Sequence, residues 1–125
     1  MRYMMFIKHR DDYDISKVPQ SLFGAMDEFI GKCIKDGSFI DGGGLQPTKA
    51  ASRVRLAKGK ITSTDGPFTE AKEVVGGYAI FDVDTKEEVL EWTRRFMDLH
   101  KKHWPDWEGE TEVRQMSVMG PPPHR

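Results

Sequence analysis

A chain of 125 residues makes one domain and hardly two, and it can bury a core without disulfide staples. Apolar residues make up 38% and charged residues 31%, with a net charge of −1, which sets aside a chain drawn as a whole to nucleic acid or to an anionic membrane. No run of about 18 apolar residues is present, the first apolar run is too short and too soon charged for a signal peptide, and the single cysteine, Cys33, forbids an internal disulfide; a reducing cytoplasm is the expected setting.

Residues 2–8 read as a strand with apolar side chains on both faces, Tyr3, Met5 and Ile7 on one and Met4 and Phe6 on the other. Leu22, Phe23, Met26, Phe29, Ile30, Cys33 and Ile34 then recur at helical spacing; Pro19 suits the first turn and Gly37 the position past the end. Residues 38–45, SFIDGGGL, start as a strand and loosen into three glycines, where a bulge or bend is expected rather than an anion nest. Residues 52–57 and 60–64 form a hairpin about Lys58-Gly59, with Gly59 supplying a positive φ. Val54 and Leu56 alternate with Arg53 and Arg55, which gives the hairpin one wet face. Residues 74–83 are the next strand, with Val75, Ala79, Phe81 and Val83 on one side and Val74, Tyr78 and Ile80 on the other. A second helix begins at Asp84 or Thr85, with Glu87 or Glu88 completing a capping box, and ends around residues 100–103. Its apolar stripe is Val89, Leu90, Trp92, Phe96, Met97 and Leu99. A last strand spans 112–119 with Val113 inward, and the tail GPPPHR, residues 120–125, reads as a disordered end.

Strand, helix, strand, inserted hairpin, strand, helix, strand is the order of a ferredoxin-like α+β domain over residues 1–119: a four-stranded antiparallel sheet with both helices on one face. Two of its strands are apolar on both sides, so the open face needs a cover, and the simplest is a second copy about a two-fold axis. A homodimer through the open sheet face is therefore expected.

Three stretches carry a family likeness: LQP (45–47), SRVRLAKGKITSTDGPFTEAKEVVGGYAIFDV (52–83) and EVRQM (112–116). They resemble the DGPF-motif proteins of the YCII-related family, and the likeness runs from RYMMFIK to EVRQM. It implies a ferredoxin-like fold of the dimeric α+β barrel group, a homodimer, and bacterial, cytoplasmic members, some associated with extracytoplasmic-function sigma factors. The family's proposed enzymes rest on a His and an Asp facing a pocket. That His, early in the first helix, has no counterpart between Pro19 and Asp36, and Gln115 stands where the family often has Pro.

Asp65-Gly66-Pro67 reads as a tight reversal, with Phe68 free to plug the core and residues 69–73 long enough for one helical turn. A two-residue turn at Lys58-Gly59 sets Ser52 opposite Asp65 with Arg53 diagonal to it, so that Arg53, Asp65, Phe68, Glu70 and Arg114 could line one ligand pocket near the dimer seam. A carboxylate between guanidiniums is held ionised, which favours binding a polar ligand over abstracting a proton.

His100 and His103 stand three residues apart at a helix end, but no third ligand is fixed, and dipole capping on a charged face is the simpler reading; no metal and no cofactor is expected. His103 is the candidate titrating group, His9, His100 and His124 being assigned to a strand end, a charged face and the tail. Trp104 and Trp107 anchor their loop, and Cys33, on an apolar helix face, is an inert thiol. The expected function is a homodimer binding a small polar ligand or a protein partner, a sigma factor among the candidates. The alternative, by fold analogy, is a cofactor-free barrel enzyme with Asp65 or His103 as acid or base. Membrane contact is not expected, and nucleic-acid binding through Arg53, Arg55, Lys58 and Lys60 is the weakest reading.

Overall fold

The computed structural model describes residues 1–10 and 15–117. Strand β1 (Arg2–His9) leads through a 3-10 turn (Ile15–Lys17) to helix α1 (Gln20–Lys35) and strand β2 (Phe39–Gly44). A second 3-10 turn (Thr48–Ala50) precedes the hairpin of β3 (Ser52–Ala57) and β4 (Lys60–Asp65); β5 (Val74–Asp82), α2 (Lys86–His103) and β6 (Glu110–Gln115) complete the order. The main sheet is antiparallel in the order β2-β5-β1-β6, and among the described residues β3 and β4 pair only with each other. This is the ferredoxin-like arrangement expected, with a hairpin inserted between its second and third sheet strands. β6 begins two residues earlier than its alternation suggests; Val118 and Met119, and the tail with His124, lie outside the described residues.

Helix boundaries follow local chemistry. Pro19 takes an extended conformation as the N-cap of α1, and its carbonyl accepts the Leu22 N–H at 3.0 Å. Gly37, at φ 84°, turns the chain out of the helix as only glycine does without strain. At α2 the Thr85 hydroxyl accepts the Glu88 N–H at 3.3 Å, and Lys101 and Lys102 stand in the last turn, where cations suit the helix dipole.

The core lies between the helices and one sheet face. Tyr3 and Met5 of β1 and Ala79 and Phe81 of β5 meet Cys33 of α1 and Val89, Trp92 and Phe96 of α2. Trp92 is the hub, its ring centroid 4.2 Å from that of Phe81, 4.8 Å from Phe29 and 5.4 Å from Phe96. Its indole N–H is satisfied by Cys33 Sγ at 2.6 Å. Burial pushes the Cys33 thiol above its usual pKa, which keeps it protonated and unreactive.

The register of β5 corrects one expectation. Ile7 pairs with Gly77 but Lys8 pairs with Val75, so Gly76 is an extra residue in β5. The bulge reverses the phase: Val75 joins Lys8 on the open face, 41% exposed, and Val74 comes opposite His9. Glycine is required there because a Cβ at Gly76 would come 1.8 Å from His9 Nε2. A smaller irregularity in β2, between Phe39 and Asp41, sits just before its glycines, which pair with residues 77–79 as regular strand.

Met4 and Phe6 of β1 and Tyr78 and Ile80 of β5 are opposite each other on the face away from the helices, each half-buried. Lys8 crosses the same face to Glu110 and Glu112, 3.1 Å from each. The hairpin differs from expectation more. Its two-residue turn has both Lys58 (φ 53°) and Gly59 (φ 76°) in the left-handed region, a type I′ geometry, and both its faces are wet. Val54, Leu56 and Ile61 are each at least 70% exposed because the hairpin packs chiefly on itself.

Candidate functional site

The residues marked by the DGPF stretch assemble in part. Ser52 pairs with Asp65 across the hairpin and donates its hydroxyl hydrogen to the carboxylate at 2.8 Å. Arg53, one residue on, faces the other way, as strand alternation dictates, and its partner is Glu70, not Asp65. The Arg53 guanidinium also lies 3.7 Å from the centroid of the buried Phe68 ring, a cation–π contact. The Glu70 carboxyl is held below its ordinary pKa, first by its own backbone N–H and then by Arg53.

Phe68 is buried away from the Trp92 cluster, its N–H donating to the Thr48 hydroxyl at 3.3 Å. The turn before it contains a cis Gly66-Pro67 bond, and the Gly66 N–H donates to the Ala51 carbonyl at 2.8 Å. A Cβ at Gly66 would collide with the Thr48 carbonyl, which is why glycine stands in DGPF. The turn therefore clips the 48–51 segment to the foot of the hairpin. Arg114 is not brought to this cluster within one chain: it lies on β6, at the far edge of the sheet from β2, mostly exposed and 4.0 Å from Glu112. His103 closes α2, half-buried.

A different region holds the concave site. A half-enclosed apolar cavity of about 370 Å³ lies between α1, α2 and the covered sheet face, beside the glycines of β2. That volume is in the range of about 300–1,000 Å³ typical of small-molecule sites. Met5 and Ile7 of β1, Met26 and Ile30 of α1, and Trp92 and Phe96 of α2 supply its walls, while Phe23, 42% exposed, stands at its mouth. A second, polar hollow shares His9, His100 and Trp107 with the first and carries Arg10, Glu73, Lys101, Glu108 and Glu110. Two imidazoles thus stand between an apolar chamber and a charged vestibule. None of Arg53, Asp65, Phe68, Glu70, Arg114 and His103 lines either hollow.

Both imidazoles are buried; His9 closes strand β1, as its assignment to a strand end expected, whereas the burial of His100 corrects its assignment to a charged face. His9 follows Tyr3, Met5 and Ile7 in the inward phase of β1; its Nδ1 donates to the Arg10 carbonyl at 2.7 Å. His100 lies one turn beyond Phe96 and two beyond Trp92, on the apolar stripe of α2. Its ring lies 4.8 Å from Phe96 and 4.5 Å from Trp107, centroid to centroid. His100 Nδ1 is 3.0 Å from the Phe96 carbonyl, which can only accept, so Nδ1 carries the hydrogen and neutral His100 keeps its lone pair on Nε2. No buried side-chain nitrogen or oxygen among the described residues is left unpartnered, so Nε2, for which no bond to a described residue is found, is open to a hollow. Among the described residues no three of His, Cys, Asp or Glu gather as a metal ligand set.

Burial lowers the His100 pKa from 6.5, outweighing the Phe96 carbonyl, which raises it. The unfolded chain therefore binds this proton at higher pH than the folded one. The stability that goes with neutral His100 is fully present above about pH 6.5 and is lost as pH falls through the lower folded value. Denaturant midpoints measured from pH 8 down to pH 5 should fall more steeply for the wild type than for His100→Phe; parallel curves would contradict this.

The fold and cavity define a small ferredoxin-like α+β domain with a ligand-sized chamber between its helices and sheet. The family model of the YCII-related domain matches residues 1–96, and the chain belongs to that family. It is 31% identical over 77 residues to an uncharacterized protein of Rhizobium meliloti (strain 1021), a match covering 62% of this chain and 58% of that protein. No helix among the described residues is long and apolar enough to cross a membrane.

Proposed function

We propose that this YCII-family protein is a cytoplasmic, bacterial homodimer that binds a small amphipathic molecule, apolar body in the chamber and polar end at His9 and His100. The observation that carries this reading is the chamber itself: about 370 Å³ of apolar space bounded on one side by two buried imidazoles that also face a charged vestibule. Unfilled apolar space costs packing energy, and its place is where a ligand would recover it. Acid–base chemistry at Asp65 or His103 is not part of this reading, since neither lines the chamber. A link to sigma-factor regulation rests on the family resemblance alone.

The chain's 3 tryptophans, Trp92, Trp104 and Trp107, all line the chamber, so intrinsic fluorescence reports on it. Titration with para-ethylphenol should give a saturable change, and a flat response up to millimolar concentration would refute the reading. The homodimer is supported by Met4, Phe6, Tyr78 and Ile80, a half-buried apolar group on the sheet face that neither α1 nor α2 covers. Light scattering should give twice the chain mass at micromolar concentration, and Phe6→Glu should give the single mass with an unchanged far-ultraviolet spectrum. A monomeric wild type would exclude the dimer.

A further inference from the structure

We propose that the chamber selects a hydroxylated aromatic or enolic molecule, ring inward, whose O–H is recognised by Nε2 of His100. This rests on the chamber being a ligand site and adds the chemical class of the ligand.

Shape gives the inner half of the claim. Trp92, Phe96 and Trp107 present ring faces and edges, Met26 adds an adaptable thioether, and among the described residues no Asp, Glu, Lys or Arg lines the inner chamber. A flat apolar ring fits such walls better than a branched or charged body.

The polar half follows from which atom is left open. His100 Nδ1 is committed to the Phe96 carbonyl at 3.0 Å, and the carbonyl fixes it as the donor. The open Nε2 of the neutral ring is then an acceptor, and its complement is an O–H donor. A carboxylate ligand would set a second acceptor against it. The groups around this boundary do not reverse the preference. They are His9 and Arg10 from β1 and the residue after it, Glu73 ahead of β5, Lys101 of α2, Glu108 ahead of β6 and Glu110 of β6. Among the described residues two fixed cations, Arg10 and Lys101, are matched by Glu73 and Glu108, while Glu110 is paired with Lys8, so the rim offers no net positive charge to draw an anion. An ether or plain hydrocarbon of the same outline would leave the buried acceptor without water and without a partner.

The test is calorimetric titration of the purified wild-type protein near neutral pH with para-ethylphenol, its methyl ether para-ethylanisole, and para-ethylbenzoate. The phenol should bind about 10-fold tighter than either of the others, the discrimination expected when a buried acceptor is satisfied or stranded. Equal binding of phenol and ether, or tightest binding of the benzoate, overturns the proposal while leaving the chamber a ligand site. Failure of all three to bind overturns both. In His100→Phe, which keeps a ring between Phe96 and Trp107, the preference for phenol over ether should vanish, and its persistence would show that His100 is not the recognising group. Should that variant not fold, His100→Leu serves instead: it too removes the acceptor, and the preference for phenol over ether should vanish. A preference unchanged in His100→Leu counts against the proposal.

Discussion

Trp92→Ala is expected to lower the stability of the fold by about 3–5 kcal/mol, read as a shift of the urea midpoint at constant m-value. The magnitude follows from position. Trp92 touches Phe81 of the sheet, Phe29 of α1 and Phe96 of its own helix, and Phe81, Met5, Leu22 and Val89 are the largest fully buried side chains. Removing the indole opens a cavity spanning both layers and leaves Cys33 Sγ without its donor. It also enlarges the ligand chamber, so affinity should fall with stability. Trp92→Phe keeps a ring and loses only the N–H and part of the volume, and should cost less than half as much. Equal losses in the two variants would mean that the hydrogen bond to Cys33, and not packing, sets the value.

Gly76→Ala is the second large effect, and the one that separates site from scaffold. The added methyl would come 1.8 Å from His9 Nε2, so either the bulge or His9 must move. An overpacked interior position of this kind costs about 1–3 kcal/mol. Because His9 stands on the wall between chamber and vestibule, the affinity for para-ethylphenol should drop by at least about 10-fold as well, beyond what a small loss of global stability produces in a folded protein. Gly24→Ala provides the control: a Cβ there, in α1, meets nothing within 4 Å, and the substitution should be neutral or stabilising by up to about 1 kcal/mol. Gly76→Ala with unchanged affinity would show that His9 is not part of the site.

Much of the fold is legible along the chain because its causes are local. The stripe of Leu22 to Ile34, the Thr85 cap and the Lys58-Gly59 turn each act over a few residues. The register of β5 is not local. The bulge at Gly76 is set by the His9 ring on the neighbouring strand, so strict alternation misassigns Val74 and Val75. The hairpin shows a related limit: alternating Val54 and Leu56 state a preference for cover, but whether cover exists depends on where the hairpin projects.

The chamber was hidden for the same reason. Its walls come from β1, α1, β2, β5 and α2, and empty space has no residue to mark it. Its two imidazoles did leave a signal. His9 continues the inward phase of Tyr3, Met5 and Ile7, and His100 continues the stripe of Trp92 and Phe96; a titratable residue in phase with core positions is buried by the same periodicity that buries its neighbours. The charges of the DGPF stretch drew attention instead. There the pairing of Ser52 with Asp65 followed from the turn length, whereas the choice of Glu70 by Arg53 followed from which face each side chain takes. Arg114, in the same chain, is at the opposite edge of the sheet.

Two regions therefore compete for the role of ligand site, the chamber behind His9 and His100 and the polar cluster at the foot of the hairpin. Amide chemical-shift mapping of the intact protein titrated with para-ethylphenol decides between them. The shifts should concentrate at Ile7, Gly43, Gly77, Ala79 and His100 and leave Arg53, Asp65 and Glu70 unmoved. Shifts gathered at Arg53, Phe68 and Glu70, with the chamber amides still, would contradict the account.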